Sequence, residues 1–192
     1  MSDPEYAYIH IPKNAGLSME KSLEKIEKIQ YFNHDVIFEN IKHLKKIYTI
    51  REPVDRFSSA FFYLKQYNNN IKNNFFQTPD ELLKAFLDLD VRAIKFMKVQ
   101  EHWHTINATL IPTDWVFHKQ IDWIFDPFKI LIFENLEDEI NRLNSELGVN
   151  IILHHTNKSE KTDFTYSQDS LDLLRLIYKK DFELYENVIR HN

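Results

Sequence analysis

The 192-residue chain contains no cysteine, which excludes disulfide bonds, thiolate zinc sites and cysteine nucleophiles. It has no apolar run near the roughly 20 residues that a membrane-spanning helix needs, and its acidic amino-terminal stretch lacks the pattern of a signal peptide. The net charge of -5 provides no general basic surface for nucleic acid. We therefore expect a soluble cytoplasmic protein without nucleic-acid or membrane partners, in which any anion site is local.

A hydrophobic fraction of 43% is enough to build one compact domain over residues 1–192. Short apolar runs that end at turn residues predict strands at residues 6–11, 46–51 and 129–133. Helical spacing of apolar residues follows each run, at positions 19, 23 and 26, at 54, 57, 61 and 64, and at 136, 140, 143 and 147. This alternation predicts an α/β fold with a central parallel sheet flanked by helices.

Between the second and third strands the sequence is typical of helices. Thr78 is predicted to cap a helix that begins at Pro79, with Glu81 completing a capping box. The Asn-rich residues 67–76 predict an exposed loop. Gly148 is placed to end the helix after the third strand, and a single last helix is predicted from about residue 171 to residue 189.

The stretch YIHIPKNAGLS contains one of only two glycines in the chain. A turn between strand and helix presents backbone N–H groups which, with the helix dipole, favour an anion. Ala15 and Gly16 are small enough to let a phosphate approach the backbone, while Lys13 adds a positive charge and Ser18 a hydroxyl. His10 is interpreted as a structural partner of the loop. The alternative is an ordinary turn with a surface lysine, and a Walker A pattern is absent.

The stretch IREPVDRFSSAF predicts a second anion site. Arg51 follows a strand at the edge where α/β sheets bind ligands, its forked guanidinium suits phosphate, and Ser59 lies two turns into the next helix. Glu52, Asp55 and Arg56 are interpreted instead as a surface ion-pair cluster at the start of that helix. Two anion sites at the ends of neighbouring strands predict a ligand with two separated phosphates.

Four stretches together resemble the sulfotransferases that use 3′-phosphoadenosine-5′-phosphosulfate (PAPS). HIPKNAGLS resembles their 5′-phosphosulfate loop, which in the Golgi-type carbohydrate branch reads H-I-P-K-T-G-G-T-S. IREPVDRFSSAF resembles their 3′-phosphate motif V-R-D-P-x-x-R-F-x-S-A-Y, with the same step from arginine to serine. FENLEDEI and YKKDFELY resemble two later stretches, in the family's order. The chain is similar to the carbohydrate O-sulfotransferases, including the heparan uronyl 2-O type. It is short and lacks the membrane anchor and stem of the Golgi enzymes, which suggests a soluble microbial or viral relative.

The resemblance implies a P-loop-like fold and transfer of a sulfuryl group from PAPS to a hydroxyl of a carbohydrate or similar acceptor, with PAP as product and no metal. Lys13 would contact the phosphosulfate and stabilise charge on the bridging oxygen. The 3′-phosphate would be held by Arg51 and Ser59. The 5′-phosphate would be held by the rest of the loop, Asn14, Ala15, Gly16, Leu17 and Ser18. Because Asn14, Ala15 and Leu17 depart from the usual residues and Leu17 removes a hydroxyl, weaker donor binding is expected.

The acceptor hydroxyl must also lose a proton, for which histidine is suited near neutral pH. In the 2-O-type relatives a histidine that precedes an apolar strand in this interval is the base, so the resemblance implies His34, oriented by Asp35 or another acid. The alternative is a surface-loop histidine. Lys158 or Lys161 would close over the nucleotide, or else belong to a solvated loop.

His102, Trp103 and His104 are interpreted as part of the acceptor cleft by the same resemblance. A metal pair is disfavoured there, because no third ligand is evident. Core packing is the default for Trp115 and Trp123. Two other functions stay open: a non-catalytic module that binds PAP, and another P-loop-type phosphotransferase such as a small kinase. The sequence leaves the acceptor and the oligomeric state undetermined.

Overall fold

The structure is a computed structural model, and it describes residues 3–33, 36, 38–67, 75–97, 104–106, 109–111, 116–154 and 163–191. Within them lie six strands, named β1 (Tyr6–Ile9), β2 (Ile29–Phe32), β3 (Lys45–Ile50), β4 (His104–Ile106), β5 (Thr109–Ile111) and β6 (Pro127–Ile132). Four of the strands form a parallel sheet in the order β2-β1-β3-β6. The other two, β4 and β5, pair as an antiparallel hairpin.

The described helices are α1 (Gly16–Leu23), α2 (Phe38–Ile41), α3 (Pro53–Tyr67), α4 (Pro79–Leu87), α5 (Val91–Met97), α6 (Leu136–Leu147), α7 (Gln168–Ile177) and α8 (Lys179–His191). Short 3-10 turns occupy Gln120–Trp123 and Phe133–Asn135. The predicted α/β fold with a parallel central sheet is confirmed. None of the helices in the described part of the chain is long and apolar enough to cross a membrane.

The sheet is covered on both faces because successive side chains of a strand point to opposite sides. Tyr6 and Tyr8 pack with apolar residues of α1 and α6 on one face. Ala7 and Ile9 pack with residues of α2, α8 and the Gln120–Trp123 turn on the other. A third cluster, formed mainly by α3, α4, α5 and α7, completes the core beside these layers.

The order of the strands creates a crevice at one point of the sheet. From β1 the chain passes through α1 to β2 on one side, and the next strand, β3, lies on the other side of β1. Ligands of open α/β sheets bind at such a reversal of strand order, outside the carboxyl ends of the strands. The fold therefore brings the loop after β1 and Arg51, the residue after β3, to the same place.

Several expectations from the sequence are corrected. The single last helix is two helices, because buried Tyr178 leaves helical geometry (φ -103°, ψ 24°) and its hydroxyl donates to the Phe117 carbonyl at 2.6 Å. The middle of the chain contains the β4–β5 hairpin as well as helices. Strand β2 was not expected, and α1 ends before Ile26. Of the Asn-rich loop, residues 68–74 lie outside the described residues, whereas Phe76 is buried.

Helix α4 begins as predicted, with one change in its capping box. The hydroxyl of Thr78 accepts a hydrogen bond from the Glu81 backbone N–H at 3.2 Å. The Glu81 carboxylate accepts from the backbone N–H of Gln77, one residue before the expected Thr78, at 2.7 Å. Both bonds satisfy donors that the start of a helix would otherwise leave unpaired.

Thr78→Ala is expected to lower the free energy of unfolding by about 1 kcal/mol, because alanine cannot accept the bond from Glu81. Thr78→Ser keeps the acceptor and is the matched control. Urea denaturation measures both effects. If alanine and serine shift the midpoint equally, the cap contributes nothing to stability.

Candidate functional site

The loop between β1 and α1 is held in an unusual backbone conformation. Lys13 (φ 68°) and Ala15 (φ 62°) both lie in the left-handed region, which residues with a side chain seldom occupy. Asn14, between them, is fully buried. Its amide donates to the Thr49 carbonyl at 2.9 Å and to Gln120 Oε1 at 2.6 Å. These bonds fix the loop against the end of β3 and offset the cost of its conformation.

The amino terminus of α1 is suited to an anion. Its N-cap residue, Ala15, makes no side-chain capping bond, and the first turn contains no acidic residue. The first N–H groups of a helix have no carbonyl partner within it, and the helix dipole makes this end positive. Leu17, where the loops that this stretch resembles have a hydroxyl, is 50% exposed, and Ser18 is buried. The loop can therefore offer backbone donors, as predicted, but no hydroxyl from Leu17.

The structure gives a different reason for Gly16 from the one expected. A Cβ atom at this position would lie 1.8 Å from Nε2 of His10, so the imidazole fills the space that a side chain would need. The ring is fixed on its other side, where Nδ1 lies 3.0 Å from the Tyr31 hydroxyl. His10 is thus a structural partner of the loop, as predicted. The glycine accommodates His10, and its expected contact with a phosphate stays a prediction.

Lys13 is not the surface lysine of the alternative interpretation. Its Nζ lies 3.9 Å from the centroid of the Tyr63 ring, within range of a cation–π interaction. Burial, together with the charges of Arg51 and Arg56, lowers the pKa of Lys13 to about 8. Lys13 is therefore mostly protonated at pH 7, and a bound anion would relieve the repulsion among these cations.

Arg51 joins the loop to the start of α3. Its Nε and Nη2 contact the Asp55 carboxylate at 2.7 and 2.6 Å, and its Nη1 donates to the Lys13 carbonyl at 3.2 Å. The guanidinium lies 4.2 Å from the centroid of the Phe133 ring. A guanidinium has two N–H groups on each terminal nitrogen, so both terminal nitrogens retain a donor for a further acceptor. Asp55 thus pairs with the predicted ligand residue itself.

The interpretation of Arg56 as a surface charge is wrong. Arg56 is 2% exposed, its Nε donates to the Pro12 carbonyl at 3.0 Å, and burial lowers its pKa. Its buried Nη2 has no hydrogen-bond partner among the described residues. Glu52 does act at the helix start, since its carboxylate accepts from the Asp55 backbone N–H at 2.7 Å. Arg56 therefore places a third positive charge beneath the loop.

Only some of the remaining predicted residues belong to the part of the chain that the structure describes. Ser59 is buried in the second turn of α3, as the sequence predicts. Trp123 is a core residue. The predicted base and lid, and most of the predicted acceptor cleft, lie outside the described residues: His34, Asp35, His102, Trp103, Trp115, Lys158 and Lys161. For His104 only the strand backbone is described, so these roles stay predictions.

The sequence did not single out Gln120, which lies at the centre of the site. Its Oε1 accepts from Asn14 Nδ2 at 2.6 Å and from the Arg51 backbone N–H at 2.9 Å, and its Nε2 donates to the Arg51 carbonyl at 2.8 Å. The Asp181 carboxylate accepts from the backbone N–H groups of Gln120 (2.8 Å) and Ile121 (3.0 Å). Burial raises the pKa of Asp181, opposed by these two bonds.

Two of the four stretches that resemble the sulfotransferases contribute residues that hold the site in place, although the sequence assigned these stretches no role. Asp181 belongs to YKKDFELY. Glu134 belongs to FENLEDEI, and its carboxylate accepts from the Glu52 backbone N–H and from the Tyr185 hydroxyl, both at 2.9 Å. The end of β6 and helix α8 are thereby tied to the start of α3.

Comparisons with the models of known protein families, with curated proteins and with solved structures found no match to this chain. A functional assignment therefore depends on the residues of the site and on the resemblance of the four stretches. Chemically, the site places a helix amino terminus beside Lys13, Arg51 and Arg56, an arrangement able to bind more than one negative charge.

Proposed function

We propose that the chain is a sulfotransferase that moves a sulfuryl group from PAPS to a hydroxyl of a carbohydrate or a similar acceptor. One observation supports this above the others: two anion-binding elements lie side by side at the carboxyl ends of neighbouring strands. Arg51 Nη1, after β3, is 3.2 Å from the Lys13 carbonyl, in the loop after β1. A nucleotide with phosphates at both the 5′ and 3′ positions suits such a pair.

In this proposal the 5′-phosphosulfate lies at the amino terminus of α1, next to Lys13. The 3′-phosphate takes the remaining donors of Arg51 and the hydroxyl of Ser59. The cations of the loop support the proposal, because burial and the neighbouring charges of Arg51 and Arg56 lower the pKa of Lys13. A bound anion would relieve that repulsion.

The reaction is an in-line displacement at sulfur. The acceptor oxygen forms a bond to sulfur while the bond between sulfur and the bridging oxygen breaks, and the electron pair stays on the phosphate oxygen of the leaving PAP. Protonated Lys13, turned from the Tyr63 ring towards the bridging oxygen, stabilises that charge. The acceptor proton passes to a general base, for which we propose His34; β2 ends two residues before it, at the same edge of the sheet.

One feature favours a second candidate, a module that binds PAP without catalysis. Leu17 is exposed at the amino terminus of α1, where the related loops place a hydroxyl. Loss of that hydroxyl weakens the hold on the phosphosulfate and affects the 3′-phosphate site less. Such a protein would bind PAP and transfer no sulfuryl group.

Calorimetric titration with PAP tests the proposal. The wild type is expected to bind with a micromolar Kd, and Arg51→Ala to weaken binding by about 30-fold, because charge-assisted hydrogen bonds to the 3′-phosphate are lost. Arg92→Ala is the matched control, since that arginine is exposed, pairs with Asp90 and lies 5.8 Å from the centroid of the Phe75 ring. Circular dichroism establishes that each variant is folded.

A folded wild type that does not bind PAP would contradict the proposal, as would Arg51→Ala binding equal to that of wild type. Incubation with sulfate-labelled PAPS and a panel of hydroxylated acceptors then separates the two candidates. Transfer to any acceptor supports the enzyme. Tight PAP binding with no transfer across the panel supports the non-catalytic module.

A further inference from the structure

Gln120 connects the two anion-binding elements through a single side chain. It is fully buried. Its carboxamide both accepts from and donates to the main chain of Arg51, as a neighbouring strand would, at 2.9 and 2.8 Å. The same Oε1 accepts from Asn14 in the loop at 2.6 Å. This amide therefore joins the loop after β1 to the end of β3, in addition to the direct bonds from Asn14 to the Thr49 carbonyl and from Arg51 to the Lys13 carbonyl.

The backbone of Gln120 is itself held in place by a residue of α8. Asp181, on α8, is 1% exposed and accepts from the backbone N–H groups of Gln120 and Ile121. A buried carboxylate with two such bonds fixes the 3-10 turn in which Gln120 lies. Asn14 is fixed equally firmly, because its amide donates both to Gln120 and to the Thr49 carbonyl.

We infer that Gln120 is a positioning residue that sets the distance between the two phosphate sites, and so gives the protein its preference for a nucleotide with phosphates at both 3′ and 5′ over either monophosphate. This inference rests on the proposed function. Gln120 lies under the sites and touches neither phosphate in this scheme. Its effect is exerted through Asn14 and Arg51.

The physical reason is that two linked phosphates gain from the second contact only when the sites match their spacing. A site preorganised at the right distance binds the bisphosphate far more tightly than either half. If the separation becomes variable, each site still binds one phosphate, but the advantage of the linkage falls. Loss of Gln120 should therefore lower the affinity for the bisphosphate relative to the affinity for either monophosphate, instead of lowering all three affinities equally.

The test compares Gln120→Met with wild type, using PAP, 5′-AMP and 3′-AMP as three separate ligands. Methionine keeps the length of the side chain and removes every hydrogen bond of the amide. We expect the Kd for PAP to rise by about tenfold or more, the size of typical couplings between contacting groups. The Kd values for the monophosphates should change by less than about threefold. NMR titration measures all three, because it extends to millimolar affinity.

Two further variants keep the test decisive if Gln120→Met folds poorly. Asp181→Asn replaces one acceptor oxygen by a donor and should reduce the preference in the same direction, by a smaller factor. Asn144→Leu is the matched structural control. Asn144 makes the same two-way amide contact, to the N–H and carbonyl of Ile151 at 2.7 and 3.0 Å, near the carboxyl end of α6. It should reduce stability and leave the ratio unchanged.

The outcomes separate this inference from the proposed function. A wild type that fails to bind PAP overturns both. A wild type that binds PAP no more tightly than the monophosphates overturns the inference, because no preference for spacing exists. Proportional weakening of all three ligands in Gln120→Met and Asp181→Asn also overturns it, since partial unfolding alone has that effect. Selective loss of PAP affinity, absent in Asn144→Leu, supports it.

Discussion

Gly16→Ala is expected to lower the free energy of unfolding by about 2 to 3 kcal/mol, a large share of the stability of one domain. The new Cβ would lie 1.8 Å from Nε2 of His10. To avoid the overlap the imidazole would have to turn, which would disturb the contacts of its Nδ1 with the Tyr31 hydroxyl and with Asn33 Oδ1. Alanine is otherwise the better residue in a helix, and Gly16 does not have a positive φ, so the whole loss would come from this overlap.

A double-mutant cycle with His10→Ala checks the origin of that loss. In the His10→Ala background, Gly16→Ala should cost little or become slightly stabilising, because the ring is gone. Gly148→Ala is the matched control: its φ of 63° disfavours alanine, but no atom lies within 4 Å of the added Cβ. Its cost should be the same with or without His10. An equal cost of Gly16→Ala in both backgrounds would show that the overlap is not the cause.

If the chain is the proposed sulfotransferase, Lys13→Met is expected to reduce turnover by about 10² to 10³ at pH 7, the effect of removing one group that stabilises charge in a transition state. The wild-type kcat/KM for PAPS, which reports the ligand-free enzyme, should also fall as the pH rises through about 8. Burial and two neighbouring arginines lower the pKa of Lys13 to about 8, so the charged form dominates below that pH and disappears above it. The ordinary lysine value of about 10.4 would place this loss more than two pH units higher.

The kcat/KM for PAPS with the acceptor found by the panel, measured from pH 6 to pH 10, gives this profile. Lys13→Arg keeps its charge over the whole range, so its residual activity should not fall above pH 8. Lys129→Met, which removes a partly buried lysine paired with Glu146, should leave the profile unchanged. A wild-type rate that is flat from pH 7 to pH 10 would show that the charge of Lys13 is not required.

The parts of the fold that could be predicted are those whose signal is local. Strands β1, β3 and β6 are short and mainly apolar runs, and α3 and α6 show apolar residues at helical spacing. Strand β2 (IQYF) is a short edge strand with only its first residue buried, so no strand period is visible. The break at Tyr178 has neither glycine nor proline. It depends on a bond to Phe117, 61 residues earlier, which no local pattern reveals.

The residues of the site likewise fall into those that a local motif predicts and those that depend on distant contacts. Lys13, Asn14, Arg51 and the strand-loop-helix geometry follow from short motifs, and the structure places them together. The residues that hold them in place could not be predicted, because each makes its contact with a residue distant in sequence. Gln120, for example, accepts a hydrogen bond from Asn14, which lies 106 residues earlier. A buried arginine and a surface arginine also look alike in sequence, which is why Arg56 was misjudged.

The chain of contacts from Asp181 through Gln120 to Asn14 has a consequence for folding order. Its two steps span 61 and 106 residues, and contacts so distant in sequence form late, because the intervening chain must be ordered first. During synthesis the β1 loop leaves the ribosome long before Asp181 is translated, so for that interval it lacks the support that holds it in shape. We therefore expect nascent chains stalled before residue 181 to contain the loop without ligand-binding ability, and this ability to be acquired in a single late step.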